Sequence, residues 1–190
     1  MRKVAMLGVV VLGTAGTVAF SASGASAASK CWVGSWKVTS ASADISSPSL
    51  KFKFKGGKDI KLKLDKKGKA TYNFSGSKPF VGSGTIPPGI PTTASLSLSK
   101  KLTMSYTVAG SAKGKLSGKP KTAKGNALLT VKAATGNQKI DIVKAVRQGG
   151  DFGVLPRKAT YTCKGKTLTI KQKIKEKGLT SVTSWKARRA

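Results

Sequence analysis

The run Lys51-Phe52-Lys53-Phe54-Lys55, followed shortly by Asp59-Ile60-Lys61-Leu62-Lys63-Leu64, alternates polar and apolar residues one by one. A period of two sends successive side chains to opposite faces of an extended backbone. Both runs therefore predict strands with one face buried and one in water. Ala70, Tyr72 and Phe74 repeat the alternation after the turn Asp65-Lys66-Lys67-Gly68-Lys69. Further strands are expected over 94–98, 102–108, 127–131, 159–163, 167–174 and 179–187, with a hairpin turn at Cys163-Lys164-Gly165-Lys166-Thr167. Residues 140–147 read either as a strand or as a short helix ended by Gly149-Gly150. Pro79, Pro87, Pro88, Pro91 and Pro120 mark irregular connections rather than helix. Many short strands with frequent turns predict an all-β barrel or sandwich.

The N-terminus predicts export. Arg2 and Lys3 precede an uncharged apolar run from Val4 to Phe20, and small residues then lead to Ala25-Ser26-Ala27. This is the three-part pattern of a cleaved N-terminal signal helix, with cleavage after Ala27 and a secreted product. A retained anchor fits less well, because Val4 to Phe20 is short for a bilayer span and diluted by Gly and Ala. No transmembrane segment is expected in the mature chain. Arg2 is followed by Lys3, so there is no twin-arginine pair, and Lys30 before Cys31 disfavours lipid attachment. The expected organisation is a signal peptide over 1–27 and a single domain over 28–190. Those 163 residues carry 34 basic and 6 acidic side chains, a net +28 against +30 for the whole chain. A chain of that length buries roughly 70% of its unfolded surface.

Cys31 and Cys163 are the only cysteines. An even count in an oxidising compartment predicts a disulfide tying the first strand to a late one. Closing a loop of that length stabilises by about 5 kcal/mol in the loop-entropy model. A metal pair or catalytic thiol is disfavoured, since the chain has no histidine and no second cysteine nearby.

Three segments carry a family resemblance. The mature start, Cys31-Trp32-Val33-Gly34-Ser35-Trp36, holds a G-x-W at Gly34 and Trp36. It resembles the opening motif of lipocalin-like (calycin-like) barrels. Tyr161-Thr162-Cys163-Lys164-Gly165-Lys166-Thr167-Leu168 is similar to the Y-x-C-x-G-x-x-L hairpin of small secreted bacterial, actinobacterial-type, lipocalin-like domains. The last strand, ending in Trp185-Lys186-Ala187-Arg188, resembles their closing strand. The resemblance spans about residues 30–188. It implies an antiparallel up-and-down β-barrel of about 8–10 strands, with Lys186 or Arg188 packed over the Trp36 indole as a cation–π contact. The T-D-Y loop of many animal lipocalins is not evident. A biotin pocket of the avidin kind is set aside, because Trp32, Trp36 and Trp185 sit only at the chain's ends.

Inward-facing candidates are Phe52, Phe54, Ile60, Leu62, Leu64, Tyr72, Phe74, Leu96, Leu98, Met104, Tyr106, Leu168 and Ile170. An eight-stranded barrel either fills with such side chains or holds one small apolar ligand. The sequence leaves both open.

Charge supplies the functional signal. Lys51, Lys53 and Lys55 share one strand face, and Lys61 and Lys63 another. Lys113, Lys115, Lys119, Lys121 and Lys124 crowd a glycine-rich stretch expected to be a loop, and Lys171, Lys173, Lys175 and Lys177 run down a late strand. Edge lysines that block aggregation explain where these residues sit, but not why acids are so few. Lysines outnumber arginines 31 to 5. Lysine is a compact point charge rather than a bidentate fork, which suits diffuse attraction to phosphates better than base-edge reading. Anionic polymers or surfaces are the expected partners: cell-wall polymers, anionic lipid or nucleic acid, without sequence recognition.

Catalysis is disfavoured by elimination. Without histidine there is no His-dependent triad and no histidine metal site, and no cofactor is expected. Gly82-Ser83-Gly84 and Gly110-Ser111 read as turns rather than a nucleophile elbow. Paired carboxylates would have to come from Asp44, Asp59, Asp65, Asp141, Asp151 and Glu176, most of them at expected turns. The sequence thus predicts a secreted, cationic, non-enzymatic polyanion-binding protein. A lipocalin-like carrier of a small apolar ligand is the alternative.

Overall fold

A computed structural model describes residues 30–86, 89–134, 136–150, 153–176 and 178–190. The expected signal segment 1–27 lies outside the described residues, as do Pro87, Pro88, Asp151 and Lys177. The chain forms the strands β1 (Gly34–Ser47), β2 (Leu50–Gly56), β3 (Lys61–Leu64), β4 (Lys69–Asn73), β5 (Phe80–Ile86), β6 (Ile90–Ser99) and β7 (Lys101–Ala109). They continue as β8 (Lys113–Gly125), β9 (Leu128–Ala133), β10 (Gly136–Asp141), β11 (Lys158–Lys164), β12 (Thr167–Glu176) and β13 (Leu179–Arg189), with one helix, α1 (Ile142–Arg147).

Eight strands close an antiparallel ring in the order β1-β13-β12-β11-β8-β7-β4-β3, with β3 pairing back onto β1. The fold is thus all-β, with a closed eight-stranded barrel. The long strand β1 makes closure and branching compatible. Its Gly34–Lys37 stretch pairs with β3, whereas its Ala41–Ser47 stretch pairs with β2. From that fork a second sheet leaves the ring in the order β2-β5-β6-β9-β10, an extension the sequence did not lead us to expect. We call it the wing. Asp59 (φ 71°), between β2 and β3, and Lys100 (φ 65°), between β6 and β7, sit in the left-handed region where strands bend from wing to ring. Asp tolerates that region better than most residues. The Lys37 ammonium lies 2.9 Å from the Asp59 carboxylate, and this hydrogen bond holds the carboxyl below its ordinary pKa.

The strand pattern predicted from alternation is observed. In β2 and β3 every lysine is exposed and every Phe and Leu from Phe52 onward is buried. All thirteen inward candidates are buried. Phe52, Phe54, Leu96 and Leu98, however, face the inner side of the wing rather than the barrel lumen, because they belong to β2 and β6.

Chain as well as side chains occupies the ring's inner face. The stretch Gly153–Pro156 is buried and crosses it as a strap. Thr183 Oγ1 donates to the Gly153 carbonyl, Trp185 Nε1 to Val154 O at 3.1 Å and Tyr106 OH to Pro156 O at 2.7 Å. Tyr106 has a single hydroxyl proton, so Tyr72, at 2.7 Å, is the donor in the Tyr72–Tyr106 bond. Burial pushes the Tyr72 hydroxyl well above its ordinary pKa, with the Tyr106 bond acting in the opposite sense. The Gly153, Val154 and Pro156 carbonyls carried inward on the strap are thus each matched by a polar side chain, as burial requires.

Residues 140–147, open in the sequence between strand and short helix, end β10 and then form α1, whose N-cap Asp141 accepts a hydrogen bond from Lys144 N at 3.0 Å. Several other local expectations are corrected. The stretch from Lys113 to Lys124 is strand β8, not a loop. Gly82-Ser83-Gly84 lies within β5, not in a turn. Pro91 lies in β6 and Pro120 in β8. Pro120 sits where the β7–β8 register jumps from Ser105↔Lys119 to Thr103↔Lys124, a bulge in which no ladder donor is needed.

Cys31 and Cys163 form the disulfide, with Cα atoms 6.1 Å apart across a separation of 132 residues. The Cys31→Ala/Cys163→Ala double variant is expected to lose about 2–5 kcal/mol in urea unfolding. The native protein should show no titratable thiol, and two reactive thiols would refute the bond.

Candidate polyanion-binding surface

The outer face of the ring gathers lysines through strand register. Thr160 on β11 lies opposite Lys115 of β8 on one side and Lys171 of β12 on the other. One pair along, Lys158 faces Ser117, and Lys173 faces Val182 of β13. Lys115, Lys158, Lys171 and Lys173 line one open concavity of about 490 Å³, with Thr160 and Ser117 between them. Strands lie roughly 4.8 Å apart and residues i and i+2 roughly 6.7 Å apart. Lys115 and Lys171, two strands apart, are therefore about 10 Å from each other at the backbone.

A buried glutamine fixes this arrangement from beneath. Gln172 Oε1 accepts from Arg157 N at 2.5 Å and from Lys158 N at 2.8 Å, and Gln172 Nε2 donates to Leu155 O at 3.4 Å. The strap is thereby joined to the start of β11, so Lys158 emerges at the edge of the concavity. Lys158 was not among the predicted site residues, since the strand expected over 159–163 left it outside. The alternation Lys158, Thr160, Thr162 in β11, outward at each position, was the available signal.

Among the described residues no carboxylate is a register neighbour of these four lysines: those neighbours are Ala109, Ser117, Thr160, Ser184 and Val182. Among the described residues, the one ion pair is Lys37–Asp59. Asp65 accepts backbone hydrogen bonds from Lys67 and Lys69 at 2.9 Å, and Asp141 caps α1. Asp44, on β1, lies opposite Lys53. Among the described residues no three His, Cys, Asp or Glu side chains form a metal-holding group.

The predicted lysines therefore do not form one patch. Lys115, Lys171 and Lys173 converge with Lys158, and Lys113 continues the row opposite Thr162. Lys119, Lys121 and Lys124 lie at the bulged end of β8, beside β7. Lys51 and Lys53 border a concavity that includes Asp44, whereas Lys55 lines another with Lys58 and Lys186. Lys61 and Lys63 stand on β3, opposite Lys37 and Ser35 of β1.

The barrel floor holds the predicted G-x-W contact with one correction. Trp36 is 1% exposed, its Nε1 donates to Trp32 O at 2.9 Å, and the cation over its ring is Arg189, at 4.6 Å. Lys186 and Arg188 point outward instead. Alternation along β13 buries Trp185 and Ala187, so the next inward position is 189. Arg189 Nη2 also donates to Cys31 O at 2.9 Å. Gly34 (φ 137°) leaves room for this guanidinium, since a Cβ there would lie 2.6 Å from Arg189 Nη1.

Comparison of the chain with protein-family models, with curated proteins and with solved structures gives no match.

Proposed function

We propose that the chain is an exported, non-enzymatic protein that adheres to anionic polymers or surfaces through its lysine-rich outer face. Cell-wall polymers, anionic lipid and nucleic acid are the partner classes. The observation that carries this reading is the concavity of Lys115, Lys158, Lys171 and Lys173, in which hydroxyls rather than carboxylates separate the ammonium groups. Lysines without internal counter-charges take their counter-charge from solution ions. A polyanion displaces those ions and gains the entropy of their release. The spacing is set by sheet geometry and the groups are point charges, so binding follows charge density and not base sequence.

The same reading takes residues 1–27 as a cleaved signal and places the chain with secreted bacterial lipocalin-like proteins. Its support is the G-x-W at Gly34 and Trp36 beneath a basic residue of the last strand, at one end of an eight-stranded closed ring.

The test is the quadruple variant Lys115→Gln, Lys158→Gln, Lys171→Gln and Lys173→Gln on heparin resin and on duplex DNA. The variant should elute from heparin at lower salt. On DNA its slope of log affinity against log salt should become shallower by about 3.6, at 0.9 for each phosphate no longer neutralised. Failure of the unaltered protein to bind heparin at low salt would overturn the reading.

A further inference from the structure

The inner side of the wing borders a second hollow, open on one side, separate from the lysine concavity and of opposite character. We infer that this cavity is a binding site for one small, uncharged, apolar molecule. The inference does not rest on polyanion binding.

The cavity measures about 340 Å³, and its walls include Ile45, Phe52, Phe54, Ala94, Leu129 and Ile140. Ile45 belongs to β1 and Ile140 to β10, the two ends of the run β1-β2-β5-β6-β9-β10. Residues from both ends of a six-strand run line one volume, so the sheet curls around a hollow instead of presenting a flat face.

The hollow exists because the curled sheet lacks bulk at its centre. Gly82 and Gly84 of β5 lie beneath the Phe54 and Phe52 rings, where a Cβ would approach ring atoms to 2.4 and 2.8 Å. The two rings therefore lie flat over β5, stacked with centroids 5.4 Å apart and planes 13° from parallel. Ala94 and Ala133 contribute only methyl groups on the neighbouring strands β6 and β9.

Lining chemistry and size select the occupant. Among the described residues Thr92 is the one polar residue in the wall, and no charged one lines it. A ligand carrying a charge would lose its hydration there without compensation. A volume of 340 Å³ falls at the lower end of small-molecule sites. The flat Phe52 and Phe54 faces favour a ligand with a ring to lay against them.

The experiment is a fluorescence titration of the purified protein with N-phenyl-1-naphthylamine, an uncharged two-ring-system probe. A saturable enhancement with one site per chain is expected, unchanged within about twofold between 50 and 500 mM salt, because no charge takes part. Ala94→Phe places a ring in the hollow and should weaken the probe at least tenfold while the circular-dichroism spectrum stays that of the parent. Ala133→Phe, at a half-buried position near the strand end, does the same if Ala94→Phe does not fold. The Lys115/Lys158/Lys171/Lys173→Gln variant should keep full probe affinity. Absence of saturable binding, or undiminished binding in a folded cavity-filled variant, overturns the inference. Neither result bears on heparin retention, so the two readings fail separately.

Discussion

Raising salt from 50 to 200 mM is expected to weaken binding of residues 28–190 to duplex DNA, taken as a model polyanion, by about a thousandfold. Six exposed lysines lie together on the outer face of β8, β11 and β12: Lys113, Lys115, Lys158, Lys171, Lys173 and Lys175. Register places Thr160, Thr162, Ser184 and Thr180 among them and, among the described residues, no acid. Six neutralised phosphates give a log–log slope near −5.4. The quadruple glutamine variant, keeping two of the six, should fall to about −1.8. Fluorescence anisotropy of a labelled duplex over a salt series measures both slopes. Random-sequence duplexes should give the same values, because no side chain of this face is a planar fork suited to base edges. A parent slope shallower than about −2 would show that the lysines do not act together.

Trp36→Ala is expected to cost about 3–5 kcal/mol of stability in urea unfolding. The indole is almost fully buried, and its loss removes the floor of the ring and leaves the Trp32 carbonyl without its donor. Arg189→Ala should cost less, about 0.5–2 kcal/mol, since the cation–π contact is made by a guanidinium that is itself in water. Arg188→Ala should be nearly neutral, because its side chain stands on the outer face. This ordering tests the alternation of β13 directly. Equal costs for the two arginines, or a cost below about 1 kcal/mol for Trp36→Ala, would contradict the floor described above.

Alternation along single strands was legible without coordinates. Lysine at 51, 53, 55, 61 and 63 against Phe and Leu between them left only one way to lay those residues on a sheet. The Cys31–Cys163 pairing followed from there being two cysteines. The tryptophan floor followed from the G-x-W, and alternation from the buried Trp185 and Ala187 would also have led past Arg188 to Arg189.

Other features depend on which strand lies beside which. Alternation runs unbroken through β2, a short bend and β3, so nothing local tells that β2 enters the wing and β3 the ring. That division is made by β1, which pairs with β3 over its first residues and with β2 over its last. Gly82-Ser83-Gly84 resembled a turn until the Phe52 and Phe54 rings came to lie on it. Likewise, Lys158 joined Lys115, Lys171 and Lys173 only through the β8–β11–β12 register and the hold of Gln172. The periodicity of one strand fixes which face each side chain takes, and that much the sequence determined alone. Cavity, strap and lysine concavity arise from neighbours brought together across long loops, and tertiary structure alone decided them, because local pattern carries no record of the partner strand.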